Sequence, residues 1–266
     1  MDDPVIWVSS EYEVRWGNTS AGEVYGPPAG TCHGLVHGDD RPCFLRGELC
    51  PLREAQEKGR AASVIHAYTD AEGVTEVFRV TCLPLEDGGG LEVHLALDQG
   101  VVRDPLVGLY RREIWREVVL REQALLQRED WPFSLLYLDV DHLGAFNDTV
   151  GRSVGDEVLR RIGRLILGCS RQADVAGRHA GEELVLFLPN TRSREALGVA
   201  ERIRRGVESM AIETENGLES ITVSVGAATV EAATPLGRAL KLAADAAAQA
   251  KAGGRNRVVL DPSSMA

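Results

Sequence analysis

The chain has 266 residues, 44% of them hydrophobic, which is normal for soluble globular material and leaves room for two ordinary domains. Its 40 Asp and Glu against 29 Lys and Arg give a formal net charge of -11, the wrong sign for electrostatic capture of a nucleic-acid polymer. An acidic protein that handles a polyphosphate needs a divalent cation to neutralise both partners, so a magnesium site is worth seeking. No apolar run of about 18 residues occurs, and the start Met1-Asp2-Asp3-Pro4 is acidic, so the expectation is a cytoplasmic protein without membrane insertion. The five cysteines are an odd number, and in a reducing compartment they should not form a disulfide framework.

Residues 1–98 read as an α+β domain. Val5-Ile6-Trp7-Val8 opens it, and two alternating runs, Phe78/Val80/Cys82 and Leu91/Val93/Leu95/Leu97, flank the turn Glu86-Asp87-Gly88-Gly89-Gly90. The pattern predicts an antiparallel sheet with one buried face, and Gly38 to Arg60 contributes a short helix. Residues 99–130 carry Leu106, Leu109, Ile114, Val118, Leu120 and Leu125 at near-helical spacing in a charged stretch, which predicts a linker helix broken near Gly108.

From 131 to 266 strands and helices alternate. Phe133 to Val140 is an apolar strand, Val154 to Ile166 a helix, and Asp174–His179 with Glu183–Leu188 a hairpin. A helix over Ala196–Val207, a strand through Ile221/Val223/Val225, a helix over Leu236–Ala250 and a strand over Arg257–Leu260 follow. This order predicts a central sheet covered by helices.

Asp139 and Asp141 lie two apart at a strand end, where α/β sheets bind ligands, and Glu182-Glu183 follow the hairpin turn. If the strands are neighbours, Asp139 and a glutamate could share a hard cation; the same residues also read as solvated turn carboxylates. Asn147-Asp148, Gly151, Gly155 and Asp156 bracket the loop leading into the first helix, and amide plus carboxylate groups can read a guanine edge. They equally serve as ordinary turn and cap residues. Lys251 and Arg255 could contact phosphate oxygens or complement a helix C-terminus.

Together these stretches resemble the GGDEF domain, the catalytic unit of diguanylate cyclases. The resemblance runs from Asp104-Pro105-Leu106-Val107-Gly108-Leu109 through Leu138-Asp139-Val140-Asp141-His142, Asn147-Asp148 and Gly151 to Gly155-Asp156. It continues with Arg178-His179-Ala180-Gly181-Glu182-Glu183-Leu184 and closes with Ala250-Lys251 and Gly254-Arg255-Asn256. It implies a nucleotide-cyclase-like fold and the condensation of two GTP into cyclic di-GMP with release of pyrophosphate, by a homodimer in which each domain carries one nucleotide.

The resemblance also assigns roles. Asp139 and Glu182, with the Val140 carbonyl, would hold Mg2+ or Mn2+, and Glu183 would assist as a metal or base contact. Asn147 and Asp156 would recognise guanine, while Lys251, Arg255 and amides near Leu143 would hold the triphosphate beside the Ala180-Gly181 turn. Arg171 and Asp174, with Arg202 reaching from the neighbouring domain, would bind the product as an inhibitory site. Departures from the family pattern are Ala180 for the first signature glycine, Leu184 for phenylalanine, Gly144 for a lysine, Val107 and Arg111 in the opening motif, and Ala248 for a tyrosine. If the turn needs a positive φ at Ala180, the added Cβ costs on the order of 1 kcal/mol. Two other readings stay open: a receptor that binds GTP or cyclic di-GMP without turnover, and a cyclase for another nucleotide pair.

Trp16 to Gly26, the helical middle and the closing strands resemble a PAS sensor domain of bacterial signalling proteins, in a cysteine-bearing variety. Cys32, His33, Cys43 and Cys50, with His37 and Cys82 as further ligands, could take zinc, an iron–sulfur cluster or haem, or act as a thiol switch. They could equally be reduced cysteines buried as small apolar residues.

Overall fold

The computed structural model describes residues 3–38, 40–46, 49–69, 75–214 and 217–264, so Met1-Asp2 lies outside the described residues. The chain divides into two units, Met1–Val102 and Arg103–Ala266. No helix among the described residues is long and apolar enough to cross a membrane.

The N-terminal unit begins with strands β1 (Val5–Val8) and β2 (Val14–Gly17). Helices α1 (Thr19–Tyr25) and α2 (Cys32–His37), a 3-10 turn (Cys43–Arg46) and α3 (Pro51–Lys58) follow. Strands β3 (Ala62–Thr69), β4 (Thr75–Pro84) and β5 (Gly90–Ala96) and the short α4 (Gln99–Val102) complete it. The five strands form one sheet in the order β2-β1-β5-β4-β3, antiparallel throughout. Helix starts follow local chemistry: the Asn18 side chain accepts from the Ala21 amide at 2.9 Å and the Val5 amide at 3.0 Å, which caps α1 and ties it to β1.

One face assignment is reversed from the sequence expectation. On β5 the buried residues are Glu92 (3% exposed) and His94 (1% exposed), while Leu91, Val93 and Leu95 turn away from the core. Register explains it. Glu92 stands opposite Ile6 and Cys82, and His94 opposite Val80, all three of them fully buried, and cross-strand partners share a face. A one-residue slip of β5 would put its leucines on the face of Ile6, Val80 and Cys82 and turn Glu92 and His94 outward. The outward face accordingly carries Trp7, Trp16, Leu83 and Leu95, each more than a third exposed.

The C-terminal unit opens with β6 (Tyr110–Arg111), α5 (Arg112–Glu129), β7 (Phe133–Val140), α6 (Leu143–Val150) and α7 (Arg152–Cys169). The hairpin β8 (Val175–Ala180) and β9 (Glu183–Pro189), α8 (Ser193–Glu208) and a small ribbon of β10 (Ile212–Thr214) and β11 (Gly217–Glu219) come next. Strand β12 (Val223–Val230), α9 (Leu236–Ala252) and β13 (Val258–Leu260) close it. Six strands form a mixed sheet in the order β13-β12-β7-β9-β8-β6. The expected central sheet is therefore present, with β7 at its middle.

Strand alternation assigns the two layers. Leu136, Leu138 and Val140 of β7, with Val223, Val225 and Ala227 of β12, join the core under α7 and α8. The alternate residues face α9, where Gly226 lets the helix backbone sit directly on β12: a Cβ there would run into the Ala243 carbonyl and the Ala247 amide.

The expected linker helix over 99–130 resolves into α4, a loop, β6 and α5. Helix α5 belongs to the C-terminal unit: buried Trp115 donates from its indole to the Val175 carbonyl at 2.9 Å, and Gln123 donates to the Ala232 and Thr234 carbonyls at 2.7 and 2.6 Å. Gly177 makes room for that indole, since a Cβ there would stand 2.5 Å from the ring.

Candidate active site

Antiparallel pairing of β7 with β9 sets Asp139 directly opposite Glu183, so both side chains leave the sheet on the α9 face. Asp139 is 6% exposed, and its Oδ2 accepts from Lys251 Nζ at 2.5 Å. Its other oxygen, Oδ1, is buried without a hydrogen-bond partner. Burial pushes the Asp139 carboxyl above its ordinary value, Lys251 pulls it back, and Glu182 and Glu183 push it up again. Three carboxyl groups against one ammonium, with a buried oxygen unsatisfied, is a donor set that fits a hard divalent cation. Tyr137 adds a hydroxyl hydrogen-bonded to Glu183; burial first, then that carboxylate, raises the phenol.

Asp141, two residues on, has a different job. Its carboxylate accepts from Thr222 and Ser224 hydroxyls at 2.7 Å each and from the Asn256 amide at 3.1 Å, so it is fully used as a brace. It holds the segment after α9, in which Gly254, Arg255 and Asn256 all have positive φ, at +112°, +63° and +44°. That segment carries Arg255, which follows Lys251 by four residues.

His142, at φ +58°, precedes α6 without a side-chain cap, so the first amides of α6, from Leu143 on, are available to an anion. Asn147 lies within α6 and not in a loop, contrary to the sequence reading. Its Oδ1 is buried without a hydrogen-bond partner and packs against Gly155 of α7, where a Cβ would collide with the amide. Half-buried Asp156 follows in the first turns of α7.

The hairpin turn resolves the strain question. Gly181 takes φ +45°, and Ala180 is not among the positive-φ residues, so the alanine sits where any residue can. Ala180 pairs with Glu183 across a bulge, its side chain exposed, while Leu184 is fully buried as expected for a core-facing residue. Arg178 fixes the turn, donating Nε to the Gly181 carbonyl at 2.8 Å and Nη1 to both Asp104 oxygens at 3.0 Å. Burial alone would raise the Asp104 carboxyl, but the Val107 and Leu106 amides and Arg178 outweigh it and hold it below the ordinary range. Asp104 and Arg178 had no assigned role in the sequence; their signal was only that both lie in motif stretches.

Arg171 and Asp174 are brought together, the Arg171 amide donating to the Asp174 carboxylate at 2.6 Å. Arg202 lies on the same unit, close enough to lower the Asp174 carboxyl against the larger effect of burial, and its guanidinium donates to the Cys169 carbonyl at 2.6 Å.

In the N-terminal unit Cys32, Cys43 and Cys50 line one internal cavity, together with His37 and His66. His33 is buried but does not line it. Burial raises the Cys32 thiol and pushes Cys82 up to about 12, which works against thiolate formation at either.

A family profile described as "Diguanylate cyclase, GGDEF domain" matches residues 101–257. Diguanylate cyclase A of Treponema denticola is 36% identical over 133 residues, covering 50% of this chain and 36% of that protein. Diguanylate cyclase DosC of Escherichia coli is 35% identical over 158 residues, covering 59% of this chain and 34% of that protein. The chain thus matches about a third of the length of these relatives. Among solved structures, the GGDEF domain of DgcB from Caulobacter crescentus in complex with c-di-GMP aligns with TM-score 0.60 and 29% identity, covering 63% of this chain and 97% of that one. SiaD from Pseudomonas aeruginosa, in complex with its activator SiaC, aligns with TM-score 0.58 and 35% identity over 61% of this chain and 62% of that one. The fold, the strand-end carboxylates and the profile match over more than half its length agree that the chain belongs to the GGDEF diguanylate cyclase family.

Proposed function

We propose that this chain is a diguanylate cyclase that condenses two GTP into cyclic di-GMP and that its N-terminal unit is a PAS-like sensor domain. The observation that carries the enzymatic reading is the Asp139 carboxylate, which has one oxygen on Lys251 and one buried and unsatisfied beside two glutamates. Asp139 and Glu182, with the Val140 carbonyl, would hold Mg2+ or Mn2+, and Glu183 would complete the acidic wall. When bound, the cation supplies charge neutralisation and Lewis-acid polarisation at the reacting phosphate.

The residues of the chain do the rest. Lys251, Arg255 and the first amides of α6 hold phosphate oxygens. Asn147, through its unsatisfied buried Oδ1, and Asp156 accept from the purine N–H groups, which selects guanine. The 3′-hydroxyl of one nucleotide must meet the α-phosphate of another, so two domains act face to face as a homodimer. Arg171, Asp174 and Arg202 form the product-binding cluster that restrains turnover. The five-stranded antiparallel sheet, with helices inserted between β2 and β3, is the architecture that the PAS resemblance implies.

The test is incubation of purified protein, stripped of bound nucleotide, with GTP and Mg2+, followed by chromatographic separation of nucleotides. Cyclic di-GMP and pyrophosphate are expected. Binding of GTP or cyclic di-GMP without turnover, over a wide range of protein concentration, would replace this reading with the receptor one. The unstrained placement of Ala180 favours turnover.

A further inference from the structure

The interior of the N-terminal unit is unusual for a small sheet domain: its cavity is walled by thiols, imidazoles and a carboxylate where hydrocarbon is the norm. His37 at the end of α2, Cys43 in the 3-10 turn and His66 on β3 each offer one ligand atom, and the three atoms lie within 4.8 Å of one another. His37 Nε2 and Cys43 Sγ are 3.5 Å apart, and the two imidazole rings meet edge to face with centroids 4.8 Å apart. Ligand atoms bound tetrahedrally at about 2.0–2.3 Å from one ion stand roughly 3.4–3.7 Å from each other. The observed separations need to close by at most about 1.4 Å to reach that geometry.

Two further observations point to an ion. His66 donates Nε2–H to the Leu49 carbonyl at 2.8 Å, which leaves Nδ1 as the lone-pair nitrogen of the ring. A backbone carbonyl in that position is the usual support of a metal-bound histidine. The second is His94, 1% exposed on the same cavity: Nδ1 is occupied by the Tyr25 hydroxyl at 3.0 Å, and Nε2 has no hydrogen-bond partner and lies 3.6 Å from the buried Glu92 carboxylate. Buried imidazole and carboxylate groups left this way are costly in a closed protein core.

We propose that the N-terminal unit binds one divalent ion of the Zn2+ class through His37, Cys43 and His66, with the fourth coordination position facing the Glu92 and His94 side of the cavity. One thiolate with two imidazoles suits a borderline ion without redox chemistry, and no methionine among the described residues lines the cavity to favour a copper site. The cavity measures about 10 Å³, room for about one water-sized sphere, which suits an ion and is far too small for haem or an iron–sulfur cluster. Binding replaces the Cys43 S–H bond by an S–metal bond and releases the proton to solvent. The ion staples α2, the 3-10 turn and β3, elements drawn from three separate parts of the sequence.

The test uses the full chain, chelated and then titrated with Co2+ as a spectroscopic stand-in for Zn2+, and neither readout needs cyclase turnover. A sulfur-to-cobalt charge-transfer band that saturates near one ion per chain is expected, with tetrahedral ligand-field bands and displacement of both by Zn2+. Cys43→Ser should abolish the charge-transfer band, and His66→Gln should weaken affinity beyond the roughly 10–100-fold typical of losing a supporting partner. Cys169→Ser, outside the cluster, should change neither. Should Cys43→Ser fail to fold, the wild-type chain still decides: Zn2+ must protect Cys43 from alkylation, mapped by mass spectrometry, while Cys169 stays reactive. No cobalt spectrum, a spectrum retained in Cys43→Ser, or alkylation of Cys43 unaffected by Zn2+ would each overturn the proposal. So would isolation of the chain with haem or a cluster at these residues.

Discussion

The two sheets of this protein put their chemistry in opposite places. The C-terminal sheet buries hydrocarbon across its width, with Leu136, Leu138, Leu184 and Leu186 all fully buried, and keeps its carboxylates at the strand ends by β7 and the hairpin. The N-terminal sheet faces its core with Ile6, Val80 and Cys82 but also with Glu92 and His94, and leaves Trp16 and Leu95 outside. Ionisable groups at a strand end can be served by solvent or ligand, although buried Asp139 leans on Lys251; the same groups in a core must find partners or destabilise the fold. On the readings proposed above, the rim arrangement would serve a substrate that comes and goes, and the core arrangement a resident ion.

Substitutions can break or sharpen this contrast. The largest effect is expected at the rim: Glu182→Gln should lower cyclic di-GMP formation by at least about a hundredfold, since a lost cation contact is worth several kcal/mol in the transition state. Thermal unfolding of that variant should be nearly unchanged, because Glu182 is only half-buried in a turn. If Glu182→Gln retains more than a tenth of the wild-type rate, the metal role fails. Gly226→Ala should show the converse, a loss of stability of about 1–3 kcal/mol or more as α9 is forced off β12, measurable by urea unfolding.

A third prediction concerns the Asp104–Arg178 pair. Asp104→Asn should cost about 1–3 kcal/mol at neutral pH, by leaving Arg178 and two amides poorly matched. The folded carboxyl lies below its ordinary value of 3.8, so its stabilisation is fully present above that pH and is lost as pH falls through the folded value. The stability gap between wild type and Asp104→Asn should therefore close below about pH 4; a gap that persists there points to a packing effect instead. The smallest effect is expected for Ala180→Gly, which relieves no positive-φ strain and should shift stability by less than about 1 kcal/mol in the destabilising direction. A marked gain in turnover would mean that the alanine crowds the nucleotide after all.

Legibility in the sequence tracks the same contrast. The placement of Asp139, Glu182 and Glu183 was legible because strand ends and turns are marked by local pattern, and α7, α8 and α9 were legible because their apolar faces repeat at helical spacing. Glu92 and His94 were read on the wrong face, because alternation gives two faces without saying which one the partner strands bury. His66 was missed as a partner of Cys43 because the two stand 23 positions apart and only the β3–β4 pairing brings it inward. Arg178 stood in the hairpin motif, but that its guanidinium would reach back 74 positions to Asp104 depends on β6 lying beside β8. Helix α5 was read as a linker because a charged amphipathic helix looks the same whether its apolar stripe meets another copy or, as with Trp115, its own sheet.

The brace at Asp141 has a mechanical consequence. Asn256, held by Asp141 through its amide, is also gripped from α8 by Arg204 at 2.7 Å and by Glu208 at 2.6 Å. Two residues before Arg204 on that same helix sits Arg202, facing Asp174. Helix α8 therefore touches both the segment that carries Arg255 and, through Arg202, the surroundings of Asp174. A displacement of the helix along its axis, where each residue rises about 1.5 Å, would change both contacts together.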